Sequence, residues 1–217
     1  MQERAVYFVA ALCVSSMQLY AVKEKIMQKI AVLLSGSGRT LDNFHEYLQE
    51  GTMKAEIQVV VSNVSDALGL EKAQKYGYPA FHAADNSAIN TILEEYDIDL
   101  VILAGYLKLY EPPEQLKQRV VNIHPSLIPS FCGPGFYGHY VHDAVKSRGC
   151  TVSGCTVHFA NEIYDEGPII LQKCVSLDPS DTPDDIADKV FAKECEAFPE
   201  AINLVDEKGA AYFWNRG

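Results

Sequence analysis

The strongest constraint on the fold is a regular alternation of short apolar runs with amphipathic stretches through the first half of the chain. Predicted strands cover Lys29–Leu34, Ile57–Val61, Ala80–His82, Leu100–Ala104 and Val120–His124, and predicted helices cover Leu41–Leu48, Ala67–Tyr76, Ala88–Tyr96 and Glu111–Arg119. An unbroken apolar run is typical of a parallel strand buried on both faces, and strands that alternate with helices indicate a mostly parallel α/β sheet. The strand ends at Gly36, Ser62, Gly105 and His124 should therefore line one rim of the sheet.

The second half of the chain departs from this alternation. A loop rich in glycine and proline spans residues 126–138. The elements predicted after it are a helix at His139–Ser147, strands at Thr151–Ala160 and Pro168–Leu177, and a long helix at Pro183–Leu204. The two strands predict an antiparallel hairpin, and the long helix could break at Pro199. The pattern predicts one α/β domain with a mostly parallel sheet, helices on both faces and a C-terminal antiparallel hairpin.

The stretch Val120–Pro129 combines an abrupt strand end with two polar side chains. Pro125 follows His124 directly, and proline cannot continue a central strand because it lacks a backbone donor. Asn122 and His124 are separated by one residue, so they point to the same side of an extended chain. The amide can hold a developing oxyanion, and the imidazole can move a proton near neutral pH, which suits acyl transfer. The alternative interpretation is a turn whose polar side chains satisfy backbone groups.

The sequence Ser-Gly-Ser-Gly-Arg-Thr at residues 35–40 joins the first predicted strand to the first helix. A strand, a glycine-rich turn and a helix in succession direct backbone N–H groups toward a phosphate. The match to a dinucleotide fingerprint is poor, because Leu41 takes the third glycine position and the second strand ends in Ser62-Asn63 rather than an acid. A phosphate monoester fits the loop best, and a plain tight turn is the alternative.

Composition narrows the classes of function. The 217 residues carry a formal net charge of −11, which argues against a nucleic-acid partner but allows a small anionic ligand.

The apolar run Ala5–Val22 precedes a natural start at Met27, so we expect a dispensable extension there, with a membrane anchor as the minority alternative. Six cysteines without a C-x-x-C pair favour reduced thiols in the cytoplasm. A zinc site from Cys150, Cys155 and His158 fits no standard spacing.

Four motifs together resemble the folate-dependent formyltransferases. They are Ser-Gly-Ser-Gly38, Leu-Ala-Gly-Tyr106, Asn-Ile-His-Pro-Ser-Leu-Ile-Pro129, and Gly-Cys-Thr-Val-His-Phe159 running into Tyr-Asp-Glu-Gly-Pro168. The resemblance implies a single Rossmann-like domain at residues 29–209, between an extension at 1–28 and a tail at 210–217. Two features make the chain similar to the family members that act on phosphoribosylglycinamide. They are the glycine-rich first loop and a length that leaves no room for a further domain.

The resemblance also implies site residues. The catalytic residues would be Asn122, His124 and Asp165. The residues that bind phosphoribosylglycinamide would be Gly38, Arg39, Thr40 and Glu194. The residues that bind the folate would be Leu107, Lys108, Leu109, Tyr110, Asn122, Asn161 and Asp165. The chain departs from the family pattern in two places. Arg39-Thr40 stands where the family often has Ser-Asn, and Cys132 and Pro134 stand where relatives often have Pro and Lys.

The implied reaction transfers the formyl group of 10-formyltetrahydrofolate to the amine of phosphoribosylglycinamide, a step of de novo purine synthesis. The folate would be a co-substrate, and the reaction would need no metal. Asn122 and protonated His124 would stabilise the tetrahedral oxyanion, and His124 would pass a proton to the departing folate nitrogen. Asp165 would orient the imidazole and raise its pKa. The expected partners are small-molecule substrates, without nucleic acid or membrane, in the cytoplasm.

Three alternatives remain at this point. Formyltetrahydrofolate hydrolase shares Asn122, His124 and Asp165 but uses water as the acceptor, and it usually carries an N-terminal regulatory domain. Methionyl-tRNA formyltransferase also shares them, but it needs a further C-terminal domain and a basic surface. A non-catalytic α/β module tethered by its apolar N-terminus is the third alternative, and the presence of all three polar residues argues against it.

Overall fold

The computed structural model describes residues 27–216, so the predicted extension lies almost entirely outside the described residues. The strands of the described part are β1 (Gln28–Leu34), β2 (Ala55–Ser62), β3 (Ala80–His82), β4 (Leu100–Leu103), β5 (Val120–His124), β6 (Val152–Phe159) and β7 (Ile169–Ser176). The helices are α1 (Arg39–Gln49), α2 (Leu68–Lys75), α3 (Asn86–Glu94), α4 (His139–Ser147), α5 (Pro183–Lys208) and α6 (Ala210–Trp214).

The strands form a single sheet in the order β3-β2-β1-β4-β5-β6-β7. Strands β1 to β5 pair in parallel, whereas β6 is antiparallel to both β5 and β7. The predicted mostly parallel sheet and C-terminal hairpin are therefore confirmed. The chain order reverses between β1 and β4, and open α/β sheets bind ligands in the crevice outside such a point. There the Ser35 N–H donates to the Gly105 carbonyl at 3.1 Å and joins the two strand ends.

The side chains of the central strands alternate between two hydrophobic clusters, one on each face of the sheet. In β1, Ile30 and Val32 enter the first cluster, and Ala31 and Leu33 enter the second. The first cluster contains residues of α1, α2, α4, α5 and α6, and the second contains residues of α3. Because helices cover both faces, the strands must be apolar on both sides, which explains their unbroken apolar runs.

The prediction of a helix at Glu111–Arg119 is wrong. This segment forms only one turn of 3-10 helix, Glu114–Leu116, and Pro113 before it is extended with ψ 161°. The α conformation is disfavoured for a residue that precedes a proline, so the Pro112-Pro113 pair works against an α-helical start. Leu116 is still buried in the second cluster, so the segment keeps the packing role that its apolar pattern indicated.

Helix α5 continues through Pro199 without the break that its sequence allowed. A proline removes the N–H that would bind the carbonyl four residues earlier, which here belongs to Cys195. The Asn43 side chain of α1 replaces that donor, because its Nδ2 donates to the Cys195 carbonyl at 2.9 Å. A side chain distant in sequence thus satisfies the carbonyl that the proline leaves open.

The predicted tail contains α6, which packs against the sheet. Phe213 is 3 % exposed and its ring centroid lies 5.9 Å from that of Phe159 on β6. The indole N–H of Trp214 donates to the Gln118 carbonyl at 3.1 Å. Among residues 27–216, none of the helices is both long and apolar enough to cross a membrane.

Candidate active site

A cavity of about 700 Å³ opens at the carboxyl ends of β4 and β5. The predicted site residues that line it are Thr40, Leu107, Lys108, Leu109, Tyr110, Asn122, His124, Asn161, Asp165 and Glu194. Arg39 instead lines an adjoining cavity of about 260 Å³, and Glu194 lines both. Gly38 lines neither cavity. The sheet topology therefore brings residues from distant parts of the sequence to one rim of the sheet.

His124 is buried at the end of β5, and both of its ring nitrogens face protein oxygens. Nε2 lies 2.8 Å from the Phe131 carbonyl, and Nδ1 lies 3.5 Å from Asp165 Oδ2. Because a carbonyl can only accept, the hydrogen of the neutral ring belongs on Nε2, and the Nδ1 lone pair faces the carboxylate. A proton that binds at Nδ1 would therefore lie next to a negative charge, which favours it there.

Asp165 comes from the connection between β6 and β7 and has φ 62°. Its Oδ2 accepts a hydrogen bond from the Gly133 backbone N–H at 2.8 Å, and its side chain is 8 % exposed. A Cβ at the neighbouring Gly167 would lie 1.7 Å from the Phe159 carbonyl oxygen, so only glycine fits there. Close packing of this connection against β6 and the bond from Gly133 hold the carboxylate beside His124.

The pKa of His124 moves in the direction opposite to the one expected from Asp165 alone. Burial lowers the pKa of His124 below its usual value, although Asp165 and the Phe131 carbonyl each act to raise it. Asp165 thus raises the pKa of His124 as expected, but desolvation of the imidazolium outweighs the carboxylate, so the net shift is downward. Neutral His124 is the form that this site favours near pH 7.

The pKa of Asp165 is also lowered. Burial alone would raise the pKa of this carboxyl, but the adjacent His158 ring, whose Nε2 lies 3.6 Å from Asp165 Oδ1, the hydrogen bond from the Gly133 N–H and the charge of His124 lower it below its usual value. Asp165 is therefore ionised over the physiological pH range. An ionised carboxylate beside a neutral, buried imidazole is an arrangement that can accept a proton and stabilise the resulting cation.

His158 lines the cavity, although the sequence analysis considered it only as a possible zinc ligand and not as a neighbour of Asn122. It lies opposite Asn122 in the register of β5 and β6, with Asn122 Nδ2 3.3 Å from His158 Nε2. His158 Nδ1 is 2.9 Å from the Phe159 carbonyl, so Nδ1 carries the hydrogen and Nε2 can accept from the amide. His158 thus orients the Asn122 amide. The sequence signal for this role was its place in the Gly-Cys-Thr-Val-His-Phe159 motif.

The glycine-rich loop approaches α2 closely at Gly38. Gly38 has φ 70°, and a Cβ there would lie 2.7 Å from the Gly69 Cα. The N–H of Gly69 donates to the Gly36 carbonyl at 3.0 Å, and no side chain caps the start of α1. Gly38 therefore fixes the shape of the loop, and the first-turn N–H groups of α1 keep their capacity to bind an anion.

The segment Leu107–Tyr110 is anchored at both ends on the cavity wall. The Leu107 N–H donates to Ser35 Oγ at 3.0 Å, and the Tyr110 hydroxyl donates to Asn90 Oδ1 at 2.8 Å. Between them the Leu107 side chain is 70 % exposed and the Leu109 side chain 36 %. Apolar side chains on an anchored backbone offer a surface for a flat, partly apolar ligand.

Comparison with known proteins decides which family this arrangement belongs to. The family described as formyl transferase matches residues 28–202, which is most of the chain. The chain belongs to the formyl transferase family. A chloroplastic phosphoribosylglycinamide formyltransferase of Arabidopsis thaliana is 35 % identical over 193 residues, covering 83 % of this chain and 66 % of the relative. The phosphoribosylglycinamide formyltransferase of Haemophilus influenzae is 32 % identical over 192 residues, covering 83 % and 88 %.

Solved structures of this formyl transferase family share the fold. Glycinamide ribonucleotide transformylase 1 from Symbiobacterium toebii has a TM-score of 0.76 and 38 % identity, covering 83 % of this chain and 88 % of that one. A formyltetrahydrofolate deformylase from Pseudomonas putida has a TM-score of 0.72 and 26 % identity, covering 85 % and 67 %. The chain spans less than two thirds of several curated relatives, and only 18 % of a trifunctional protein of Bos taurus.

Glu194 of this formyl transferase lies where the two cavities meet. Burial raises the pKa of the Glu194 carboxyl to about 7, while the charge of Arg39 acts to lower it. The side chain is partly exposed to both cavities. A carboxyl with this pKa can accept or donate a hydrogen bond near neutral pH, which suits contact with an amine or a hydroxyl group of a ligand.

The loop between β5 and α4, which contains Cys132 and Pro134, supplies two backbone contacts to the side chains of this cavity. The Phe131 carbonyl accepts from His124, and the Gly133 N–H donates to Asp165. Cys132 Sγ donates to the Pro129 carbonyl at 3.4 Å. Cys132 and Pro134 thus belong to a loop whose backbone holds both His124 and Asp165.

Within residues 27–216, no three His, Cys, Asp or Glu side chains come together as a metal site. The structure does not bring together Cys155 and His158, two of the three residues of the zinc alternative. Cys155 is buried in the first hydrophobic cluster, where burial raises its pKa to about 12, whereas His158 contacts Asn122. Residues three apart on a strand point to opposite faces, so β6 separates these two side chains.

Proposed function

We propose that the protein transfers the formyl group of 10-formyltetrahydrofolate to the amine of 5'-phosphoribosylglycinamide, giving formylglycinamide ribonucleotide and tetrahydrofolate. The observation that carries this proposal is the grouping of Asn122, His124 and Asp165 on the wall of one cavity. The same cavity reaches the glycine-rich loop at Thr40 and the exposed segment Leu107–Tyr110. The names of the plant and bacterial relatives support the same reaction.

We assign different parts of the two adjoining cavities and of the glycine-rich loop to the two substrates. Leu107–Tyr110 and the loop from Asn161 to Asp165 would hold the folate, since both line the cavity and carry exposed apolar side chains beside backbone polar groups. The loop residues Gly38–Thr40 and Glu194 would hold phosphoribosylglycinamide, with Gly38 shaping the loop. The formyl carbon would then lie near His124, where these two regions meet.

Proton movement follows from the charge state of the site. When the amine attacks the formyl carbon, a new C–N bond forms, the carbonyl oxygen becomes an oxyanion and the attacking nitrogen becomes positive. Asn122 would donate to the oxyanion. Neutral His124 would take the amine proton at Nδ1, beside Asp165, and give it to the folate nitrogen as the bond between that nitrogen and the formyl carbon breaks. His124 and Asp165 then return to their starting states.

Assay of the purified protein tests the proposal directly. With 10-formyltetrahydrofolate and phosphoribosylglycinamide we expect equal amounts of tetrahydrofolate and formylated ribonucleotide, with little formate when the ribonucleotide is omitted. His124→Ala should reduce the rate by about a hundredfold or more, as general acid–base catalysis predicts. His45→Ala is the matched control, because His45 stacks on Tyr76 outside both cavities. Failure to form the formylated ribonucleotide would contradict the proposal.

Formyltetrahydrofolate hydrolysis is the second candidate, because one of the similar solved structures is a deformylase. Water would replace the amine as the nucleophile, and the same His124 and Asp165 would take its proton. Formate release at an equal rate with and without phosphoribosylglycinamide would establish this alternative. We also propose a cytoplasmic protein whose partners are small-molecule substrates, in keeping with its net charge of −11.

A further inference from the structure

The segment that we assign to the folate, Leu107–Tyr110, has no regular secondary structure. Within residues 27–216, no hydrogen bond between two backbone groups involves residues 106–112. The backbone polar groups of this segment are thus left to side chains, water and ligands. A segment without backbone hydrogen bonds keeps a fixed shape only where other contacts hold it. The shape of this wall of the cavity therefore depends on side chains that reach the segment from elsewhere in the fold.

Asn90, on α3, contacts the segment through both polar atoms of its amide. Its Nδ2 donates to the Glu111 carbonyl at 3.0 Å, and its Oδ1 accepts from the Tyr110 hydroxyl at 2.8 Å. A carbonyl can only accept, so the Glu111 contact fixes which side of the amide carries the N–H groups and leaves Oδ1 for the hydroxyl. A second contact from α3, between Asn86 Nδ2 and the Leu109 carbonyl, is longer at 3.3 Å. Asn90 is therefore the main link between α3 and the end of the segment.

The helix that carries Asn90 is firmly packed on the sheet. Ile89 and Leu93 of α3 are 0 % and 3 % exposed and belong to the second hydrophobic cluster. The Asp85 side chain accepts from the Ala88 N–H and caps the first turn. A shift of α3 would unpack these buried side chains, so the helix sets the place of the segment and not the reverse.

Tyr110 transmits the position of Asn90 to the cavity. Tyr110 lines the larger cavity and is 6 % exposed. Burial raises the pKa of Tyr110 well above its usual value, so its hydroxyl remains a hydrogen-bond donor throughout the physiological pH range. A buried hydroxyl requires a partner, and here the partner is Asn90 Oδ1. The place of Tyr110 on the cavity wall is therefore tied to Asn90.

We propose that Asn90 is a positioning residue for the formyl donor, because it holds the Glu111 carbonyl and the Tyr110 hydroxyl and so fixes the wall that binds the folate. This inference rests on the proposed function, which assigns Leu107–Tyr110 to the folate. Asn90 lines neither cavity, so it acts only through the segment. It contributes to the affinity for the folate, and not to proton transfer or to the affinity for the ribonucleotide.

Steady-state kinetics test this role. In Asn90→Ala, KM for 10-formyltetrahydrofolate should rise by about five- to twentyfold, since the segment loses two hydrogen bonds and the ligand must order it on binding. The kcat and KM for phosphoribosylglycinamide should change by less than about twofold, because His124 and the glycine-rich loop keep their contacts.

Thr91→Ala is the matched control. Thr91 is the next residue of the same helix, is exposed, and donates from its hydroxyl to the Ser87 carbonyl within α3. An unchanged KM for 10-formyltetrahydrofolate in Asn90→Ala would overturn the proposal. A parallel change in kcat and in both KM values would also overturn it, because it would show a general loss of packing.

The milder variant Tyr110→Phe removes one of the two hydrogen bonds and keeps the ring. Its KM for 10-formyltetrahydrofolate should rise by about two- to fivefold. In the double variant with Asn90→Ala it should add less than about twofold, because the bond between the two side chains is already lost. Full addition of the two effects would show that Tyr110 and Asn90 act independently and would refute the link between them.

Direct binding of tetrahydrofolate separates this inference from the proposed function. In anaerobic titration calorimetry, Kd should be about five- to twentyfold higher for Asn90→Ala than for Thr91→Ala or the unsubstituted protein. Asn90-dependent binding in a protein that does not formylate phosphoribosylglycinamide would refute the function and keep the positioning role. Transfer activity with a Kd that does not depend on Asn90 would refute the positioning role and keep the function. Absence of tetrahydrofolate binding would refute both.

Discussion

At the scale of single residues, Asp165 combines a turn conformation with a buried charge. Its φ of 62° suits an aspartate in a tight turn, and turn residues often use the side chain for local hydrogen bonds. Here the carboxylate instead reaches the Gly133 N–H and lies 3.5 Å from His124. If Asp165 is only a turn residue, its charge has no role in the reaction. If Asp165 is catalytic, its charge supports the cation that forms on His124.

The Asp165→Asn variant separates the two interpretations. Without the carboxylate, the cation that forms on His124 loses its support, so kcat should fall by about a hundredfold. Asp165 acts to raise the pKa of His124, so its loss should lower that pKa further and move the acidic limb of the kcat/KM profile to lower pH. Rates measured from pH 5 to 9 and a thermal melt check this. Matching pH profiles for the two proteins would remove Asp165 from the mechanism.

Gly38 belongs to the candidate ligand-binding loop, but its main role is to allow the backbone conformation and close packing of that loop. Its φ of 70° and its approach to Gly69 leave no room for a Cβ. Gly38→Ala should therefore lower the free energy of unfolding by about 1–3 kcal/mol through backbone strain. Gly36→Ala is the control, since nothing lies within 4 Å of a Cβ there, and its stability should hardly change. Equal denaturant midpoints for the two variants would contradict this explanation.

At the scale of elements, the interaction between α1 and α5 explains how a proline is tolerated inside a 26-residue helix. The Cys195 carbonyl lacks its helical donor, and Asn43 supplies another. The hydrogen bond also fixes α1, which begins at the candidate phosphate loop, against α5, which carries Phe191 and Glu194. The arrangement of the two cavities therefore depends on a contact that helix propensity cannot predict.

A double-mutant cycle tests this compensation. Asn43→Ala should lower the free energy of unfolding by about 1–2 kcal/mol, because it leaves a partly buried carbonyl without a donor. In a Pro199→Ala background the helix N–H is restored, so the same change should cost less than about 0.5 kcal/mol. Urea unfolding of the four proteins gives the coupling energy. An equal cost of Asn43→Ala in both backgrounds would show that the bond does not compensate for Pro199.

At the scale of the whole molecule, the sheet and the two hydrophobic clusters of the described residues begin with β1, directly after Met27. The first residue of β1 is Gln28, and its strand runs between β2 and β4 in the centre of the sheet. The two faces are covered by helices that all lie later in the chain. Because the described sheet already has helices on both faces, we keep the prediction that the extension before β1 contributes little to folding.

If the sheet needs no segment before β1, a chain that starts at Met27 should be soluble, should melt within about 2 °C of the full chain, and should keep its kcat. Thermal melts, size-exclusion chromatography and the transfer assay on both proteins provide the measurement. Aggregation or loss of activity in the shorter chain would instead assign the first residues a packing or anchoring role.

The sequence by itself determined the order of strands and helices, the mostly parallel sheet and the polar pair at the end of β5. These features follow from local periodicity and from residues whose backbone effects are local, such as the proline after His124. The same local rules failed at the Pro112-Pro113 segment, where the apolar spacing matched a helix but the backbone of a residue before proline disfavoured one.

Only the tertiary structure decided the properties that depend on partners distant in the chain. The register of β5 and β6 brings His158 to Asn122, Asn43 reaches the carbonyl freed by Pro199, and Arg39 stacks on Phe191. The direction of the His124 pKa also belongs here, because it depends on how much water the surrounding protein removes from the ring. Desolvation and long-range contacts are properties of the packed chain, and no pattern in the neighbouring residues contains them.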